Sequence, residues 1–234
     1  MPNTIQTSIN AVQGALSFWV PTVGTGNEPA ISAANMTQQV MLSPPFRWPW
    51  NRNSLTFTTV QGTQDYTQSV TDFGYAEKAT IAKAGGQTFE LKVLNTEPLG
   101  ESVDQSRPTT LAVQLNIVAT SVTVRLLSVP DAVYTVKVTY QKFVPNMATL
   151  GAGWTAPDYL SFIYNRGFLA HLYEARGDMR SQQEKIAFAA ALLGNQEGLS
   201  ETEKNIFLSQ YLPNPRAVEA AQLRTQQGIA ARGQ

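Results

Sequence analysis

Residues 43–53 read S-P-P-F-R-W-P-W-N-R-N, and the chain changes character across them. Upstream lie helix-coding segments. Immediately downstream come Leu55-Thr56-Phe57-Thr58-Thr59-Val60, a turn at Gln61-Gly62, and Thr63-Gln64-Asp65-Tyr66, which read as strands. Two of the four tryptophans, three prolines and two arginines fall within these eleven residues. No catalytic chemistry needs that mixture. A chain that must lock a helical part to a β part, and dock on a partner, does, because aromatic rings with arginine are the usual interface anchors. Arg47, Trp48, Trp50 and Arg52 are therefore the candidate junction or interface residues. Two readings of Trp48 and Trp50 stay open: core plugs between the two parts, or an exposed platform for a partner or a sugar ring.

Working outward toward the N-terminus, Ile5, Ile9, Val12 and Leu16 recur at helical spacing, and Thr4 can cap them. Phe18-Trp19-Val20-Pro21 ends that helix. Pro29 opens a second one that runs to about Met41, with Ile31, Met36, Val40 and Met41 as its apolar positions. Ser43-Pro44-Pro45 stops it, since proline lacks the N–H and restricts the residue before it.

Toward the C-terminus, residues 54–143 alternate as strands. Val113, Leu115 and Ile117 alternate with polar neighbours, as do Ser121 to Leu127 and Ala132 to Phe143, with a turn at Val129-Pro130-Asp131. Ala84-Gly85-Gly86-Gln87 marks a hairpin between Lys78–Ile81 and Phe89–Val93. About six short strands at this spacing suggest an antiparallel sandwich or a rolled sheet. From Pro157 the chain is helical again. Tyr159, Leu160, Phe162, Ile163, Phe168, Leu169 and Leu172 cover most of one helix, which predicts burial on most sides. Gly177-Asp178 breaks it, Arg180 to Leu193 forms the next helix, and Ser200-Glu201-Thr202-Glu203 resembles a capping box for another. The expected fold class is α+β: N- and C-terminal helices in a helical bundle layer, with an inserted antiparallel β-sandwich-like part. The expected division is 1–53 with 144–212 as the helical part, 54–143 as the β part, and 213–234 as a docking tail.

Composition removes several function classes. Charged residues make up 15%, below the usual quarter, and 17 basic side chains balance 17 acidic ones. Nucleic-acid binding would show as a basic excess. A near-neutral chain is weakly protected against association, which favours an oligomer. Without cysteine there is no disulfide scaffold, thiolate metal site or cysteine nucleophile. No basic segment followed by an apolar run marks a signal peptide, and no stretch reaches about 18 apolar residues, so no membrane partner is expected. The lone His171 sits in the apolar helix and reads as structural; one histidine makes neither a metal cluster nor a triad. Glu201 and Glu203, at a helix start, serve its dipole. No cofactor, metal or catalytic residue is expected, and the chain reads as a non-enzyme.

Beyond Leu212, the segment 213–234 carries Arg216, Arg224 and Arg232 against Glu219 alone, with Val218, Leu223 and Ile229 as sparse apolar residues. It is too poor in apolar residues to build its own core. Arg216, Val218, Leu223, Arg224, Ile229 and Arg232 are the candidate partner-binding residues, with the apolar three filling a groove and the arginines reaching acids at its rim.

The order of these blocks resembles the head-to-tail connector (adaptor or neck) proteins of tailed bacteriophages. The residues that carry the resemblance are Pro45-Phe46-Arg47-Trp48-Pro49-Trp50, the Gly62-Thr63-Gln64-Asp65-Tyr66 turn, and the helix Pro157 to Asp178 ending in E-A-R-G-D. The family's usual proline shortly after the turn tyrosine is replaced here by Thr67-Gln68, a departure from its tail-tubular branch. The resemblance implies a virion subunit assembled in the host cytoplasm. It implies a homo-oligomeric ring, a dodecamer, that joins a portal protein to a tail or nozzle protein and lets DNA pass without specific binding. Two other classes stand beside it: a carbohydrate-binding or host-recognition module built on Trp48, Trp50 and the β block, and a hydrolase using scattered carboxylates.

Overall fold

The computed structural model describes residues 3–20, 27–96, 104–116 and 121–212. The chain divides into two compact units, Met1–Phe46 with Pro145–Gln234, and Arg47–Val144. The protein is thus mixed α+β, with the helices in the first unit and the sheet in the second.

In the helical unit, α1 (Ile5–Val12) starts at a capping box in which Thr4 and Thr7 exchange side-chain and backbone hydrogen bonds. Its buried Ile5, Ser8, Ile9 and Val12 form one helical stripe. The helix closes earlier than the apolar spacing suggests: a 3-10 turn over Gln13–Ala15 follows, and Leu16 lies outside it. Helix α2 (Ala30–Leu42) corrects a second expectation. Its buried face is Ala30, Ala33, Ala34, Thr37, Gln38 and Met41, while Met36 is exposed and Ile31 and Val40 are only half-buried. Small side chains face inward because a neighbouring backbone comes close.

In the sheet unit, a 3-10 turn over Pro49–Asn51 leads into β1 (Arg52–Thr58). There follow β2 (Asp65–Ser69), β3 (Phe73–Lys83), β4 (Thr88–Leu94), β5 (Gln105–Ser106), β6 (Thr110–Asn116), β7 (Ser121–Leu126), β8 (Val129–Pro130) and β9 (Tyr134–Lys142). Seven strands form one sheet in the order β1-β9-β3-β4-β6-β7-β2. All neighbours are antiparallel except β4 and β6. The β3–β4 hairpin falls where Ala84–Gln87 predicts it. Val129-Pro130, expected as a plain turn, instead pairs in parallel with β5 as a separate small ladder. Tyr134, Val136, Val138 and Tyr140 alternate inward along β9 and join a core to which all seven strands contribute. The sheet curls on itself: Phe57 on β1 and Tyr66 on β2, the two edge strands, stack with ring centroids 4.9 Å apart. The Tyr66 hydroxyl donates to the Thr63 carbonyl at 2.6 Å and accepts from the Val60 N–H at 3.1 Å. That staple, with Gly62 at φ +85°, accounts for the G-T-Q-D-Y pattern.

Returning to the helical unit, a 3-10 turn at Asp158–Leu160 leads into α3 (Ser161–Ala175). Leu160, Ile163, Phe168 and Leu172 are buried as expected, but Leu169 is half-buried and Tyr159 and Phe162 stand exposed; Tyr164, which the apolar spacing leaves out, is fully buried. Gly177, at φ +67°, closes the helix. Helices α4 (Arg180–Gly194) and α5 (Glu201–Tyr211) follow, and α5 begins with the expected Ser200/Glu203 capping box. Phe207 of α5 meets Phe46 edge-on at 4.7 Å, and Tyr211 lies against Phe207, Phe188 and His171.

Candidate functional site

Backbone geometry at the tryptophan segment is dictated by its own residues. Pro49 fixes the first φ of the 3-10 turn, and the Asn51 N–H closes it on the Trp48 carbonyl. The turn is pinned to the sheet by two polar contacts: Trp48 N–H donates to the Gln141 side chain at 3.2 Å and Asn51 Nδ2 donates to the Lys142 carbonyl at 3.0 Å. Within the sheet, Gln141 Nε2 in turn donates to Glu77 at 2.9 Å. Gln141 and Asn51 are both buried, so each needs these partners.

Arg52 and Glu77 complete the cluster. The guanidinium grips the carboxylate with both nitrogens, Nε at 2.7 Å and Nη2 at 2.6 Å. Three strands set this up. Arg52 on β1 is register partner to Gln141 on β9, and β3 reaches Gln141 through Tyr75. Two irregularities in β3, between Phe73 and Tyr75 and between Ala76 and Lys78, leave Glu77 outside the regular ladder and aim it at the cluster. Burial alone would raise the Glu77 carboxyl; the hydrogen bonds from Arg52 and Gln141, then the charges of Arg52 and Arg47, outweigh it and hold it below the usual range. Both arginines of the segment therefore act on one carboxylate. Neither Glu77 nor Gln141 is marked in the sequence: each is a single polar residue in an alternating strand, and only the bulges and the register bring them to Arg52.

The tryptophans resolve unequally. Trp48 is 3% exposed, Trp50 half-buried, and their rings sit 5.8 Å apart at 34°. A sugar platform needs two open, parallel rings, and Trp48 offers none. The arrangement fixes a segment rigidly onto a sheet, with the carboxylate accepting from a guanidinium and an amide.

His171 is buried, with Nδ1 3.2 Å from Glu174, and Lys185 pairs with the other oxygen of that carboxylate. Glu201 pairs with Lys204, while Glu203 closes the α5 cap. Among the described residues no three His, Cys, Asp or Glu side chains are grouped to hold a metal. No helix among them is long and apolar enough to cross a membrane. The candidate tail residues Arg216, Val218, Leu223, Arg224, Ile229 and Arg232 lie outside the described residues. No protein-family model matches the sequence, and no curated protein does either.

Proposed function

We propose that this chain is a non-enzymatic structural subunit of a tailed-phage virion: a ring-forming head-to-tail adaptor that joins the portal to the tail. The observation that carries the reading is the set of large apolar side chains standing in solvent on the helical unit. Trp19, Met36, Tyr159, Phe162, Met179 and Ile206 are all exposed. A subunit covers such side chains against its neighbours on assembly. The balanced charge of 17 against 17 adds little repulsion between copies. The order of blocks and the Trp/Pro segment support the same family. In this reading the helices form the bundle layer, the curled sheet is the sandwich-like part, and the ring surrounds the DNA path without reading sequence. The tail from Pro213 docks on the portal, its apolar residues covered by that partner.

Two measurements test it. Light scattering and electron microscopy of the full chain should give a closed ring with a central opening; a monomer up to the solubility limit overturns the proposal. Truncation after Leu212 should leave the melting temperature close to that of the full chain and abolish attachment to the portal. A truncated chain that still yields filled, tail-bearing particles refutes the role of the tail.

A further inference from the structure

Helix α5 is held to the helical unit by few side chains, and one of them packs against the single histidine of the chain. Along Glu201–Tyr211 only Phe207 is buried, and buried Leu212 follows at the C-cap. Phe207 meets Phe46 edge-on and stacks on Tyr211 at 5.4 Å. Tyr211 stands edge-on to Phe188 at 5.9 Å and to His171 at 6.2 Å, and Lys185 Nζ lies 5.8 Å from the centre of its ring.

His171 on α3 is 3% exposed. Its Nδ1 lies 3.2 Å from Glu174, whose other carboxylate oxygen accepts from Lys185. In the neutral ring that bond puts the proton on Nδ1 and leaves Nε2 as an acceptor. Nε2 is buried and has no hydrogen-bond partner among the described residues, and the same holds for Tyr211 Oη on α5. Each such group costs free energy, and the two sit on rings that pack together across α3 and α5.

A second proton turns Nε2 into a charged donor with no acceptor, a state that burial penalises further. The titratable groups that face the ring are Glu174 on α3, Lys185 on α4 and Tyr211 on α5; α1 and α2, which also pack on α3, carry none. Burial pushes the imidazole down, the hydrogen bond and charge of Glu174 push it up, Lys185 pushes it down, and the result lies below the ordinary value. The protonated ring is relieved when Nε2 reaches water. Helix α3 buries eight of its residues and α4 four, whereas α5 buries one, so lifting α5 is the least costly way to open the site.

We propose that α5 is a proton-operated latch: protonation of His171 lifts α5, with Phe207 and Tyr211, off the helical unit while α3 and α4 stay folded. Release frees the stretch from Ser200 to Leu212 and with it the attachment point of the segment beyond. The released imidazole has its ordinary value near pH 6.5 and the latched one a lower value, so the latch is shut above about pH 6.5 and loosens as the pH falls below it. Burial raises the Glu174 carboxyl, but hydrogen bonds from Lys185 and His171 outweigh it and hold it below the usual range. Glu174 therefore stays charged through this window. The latch uses contacts within one copy and holds whether or not copies assemble into a ring.

Hydrogen exchange of the full chain, read by mass spectrometry at about pH 7 and about pH 5 on either side of the ordinary imidazole value and corrected for intrinsic rates, tests this. Protection in α5 should fall at the lower pH, by up to about tenfold per pH unit for one proton, while α3 and α4 keep theirs. In His171→Gln, and in His171→Phe should the first variant fail to fold, α5 protection should be the same at both pH values. Wild-type α5 protection that does not change, or that falls together with α3, overturns the latch without either variant. A folded variant that keeps the wild-type pH dependence overturns it as well.

Discussion

At the scale of single residues, the sharpest contrast is between the two tryptophans of one short turn. Trp48 is buried and its N–H is spent on Gln141, whereas Trp50 is only partly covered. Truncating a fully buried aromatic ring leaves a cavity that costs about 3–5 kcal/mol. Trp48→Ala should therefore lower the denaturation midpoint far more than Trp50→Ala; equal losses on chemical denaturation would contradict the assigned burial. His171 gives a pH signature. Burial lowers its pKa, the hydrogen bond and charge of Glu174 push the other way, the charge of Lys185 lowers it further, and the net shift is down. The unfolded chain, with an ordinary imidazole near pH 6.5, takes up the proton first. The stability that comes from keeping His171 neutral is thus present above about pH 6.5 and is lost as the pH falls through the lower, folded-state value. His171→Gln, which does not titrate, should flatten that window in urea melts followed from pH 7 downward. An unchanged slope would place the titration elsewhere.

At the scale of elements, the contact of α2 with α3 and α4 depends on one absent side chain. A Cβ on Gly167 would lie 2.6 Å from Phe188 Cζ and 2.7 Å from Thr37 Cγ2. Overpacking of this kind costs about 1–3 kcal/mol, so Gly167→Ala should lower the thermal midpoint, and a neutral result would show that the Phe188 ring moves aside freely. The same contact explains why α2 is hard to read from sequence. Hydrophobic spacing points to Ile31, Met36 and Val40, but close helix approach selects Ala30, Ala33, Ala34 and Thr37 instead. Features whose cause is local were legible: the Thr4 and Ser200 caps, the Gly177 stop, the β3–β4 hairpin and the inward alternation of β9. Features set by distant pairing were not. Nothing in β4 or β6 announces their parallel ladder, and Val129-Pro130 looks like a turn until Gln105-Ser106 lies beside it. The junction arginines were visible as chemistry, yet their carboxylate was not, because a bulge, and no motif, aims Glu77.

At the scale of the whole molecule, the sheet unit is one uninterrupted segment, Arg47–Val144, carried between the two halves of the helical unit. It contains its own core, built from seven strands, and the contacts that hold its entry turn: Trp48 and Asn51 both bond to β9. A segment with its own hydrophobic core can fold by itself. We therefore expect residues 47–144, expressed alone, to show a β-rich far-ultraviolet spectrum and a cooperative melt, with Tyr66 still stacked on Phe57. The reciprocal chain, in which a short Gly/Ser linker joins Phe46 to Pro145, should keep its helical spectrum, since α1 and α2 pack on α3 within one unit. The second product also tests which unit drives assembly. The exposed large apolar side chains Trp19, Met36, Tyr159, Phe162, Met179 and Ile206 belong to it, so the linked helical chain should still associate. If the linked chain is folded but monomeric under conditions where the full chain assembles, the sheet unit supplies a contact that the helical unit lacks. If the 47–144 fragment is unfolded, the hydrogen bonds that pin Trp48 and Asn51 are insufficient to hold the segment, and the sheet depends on the helices for its stability.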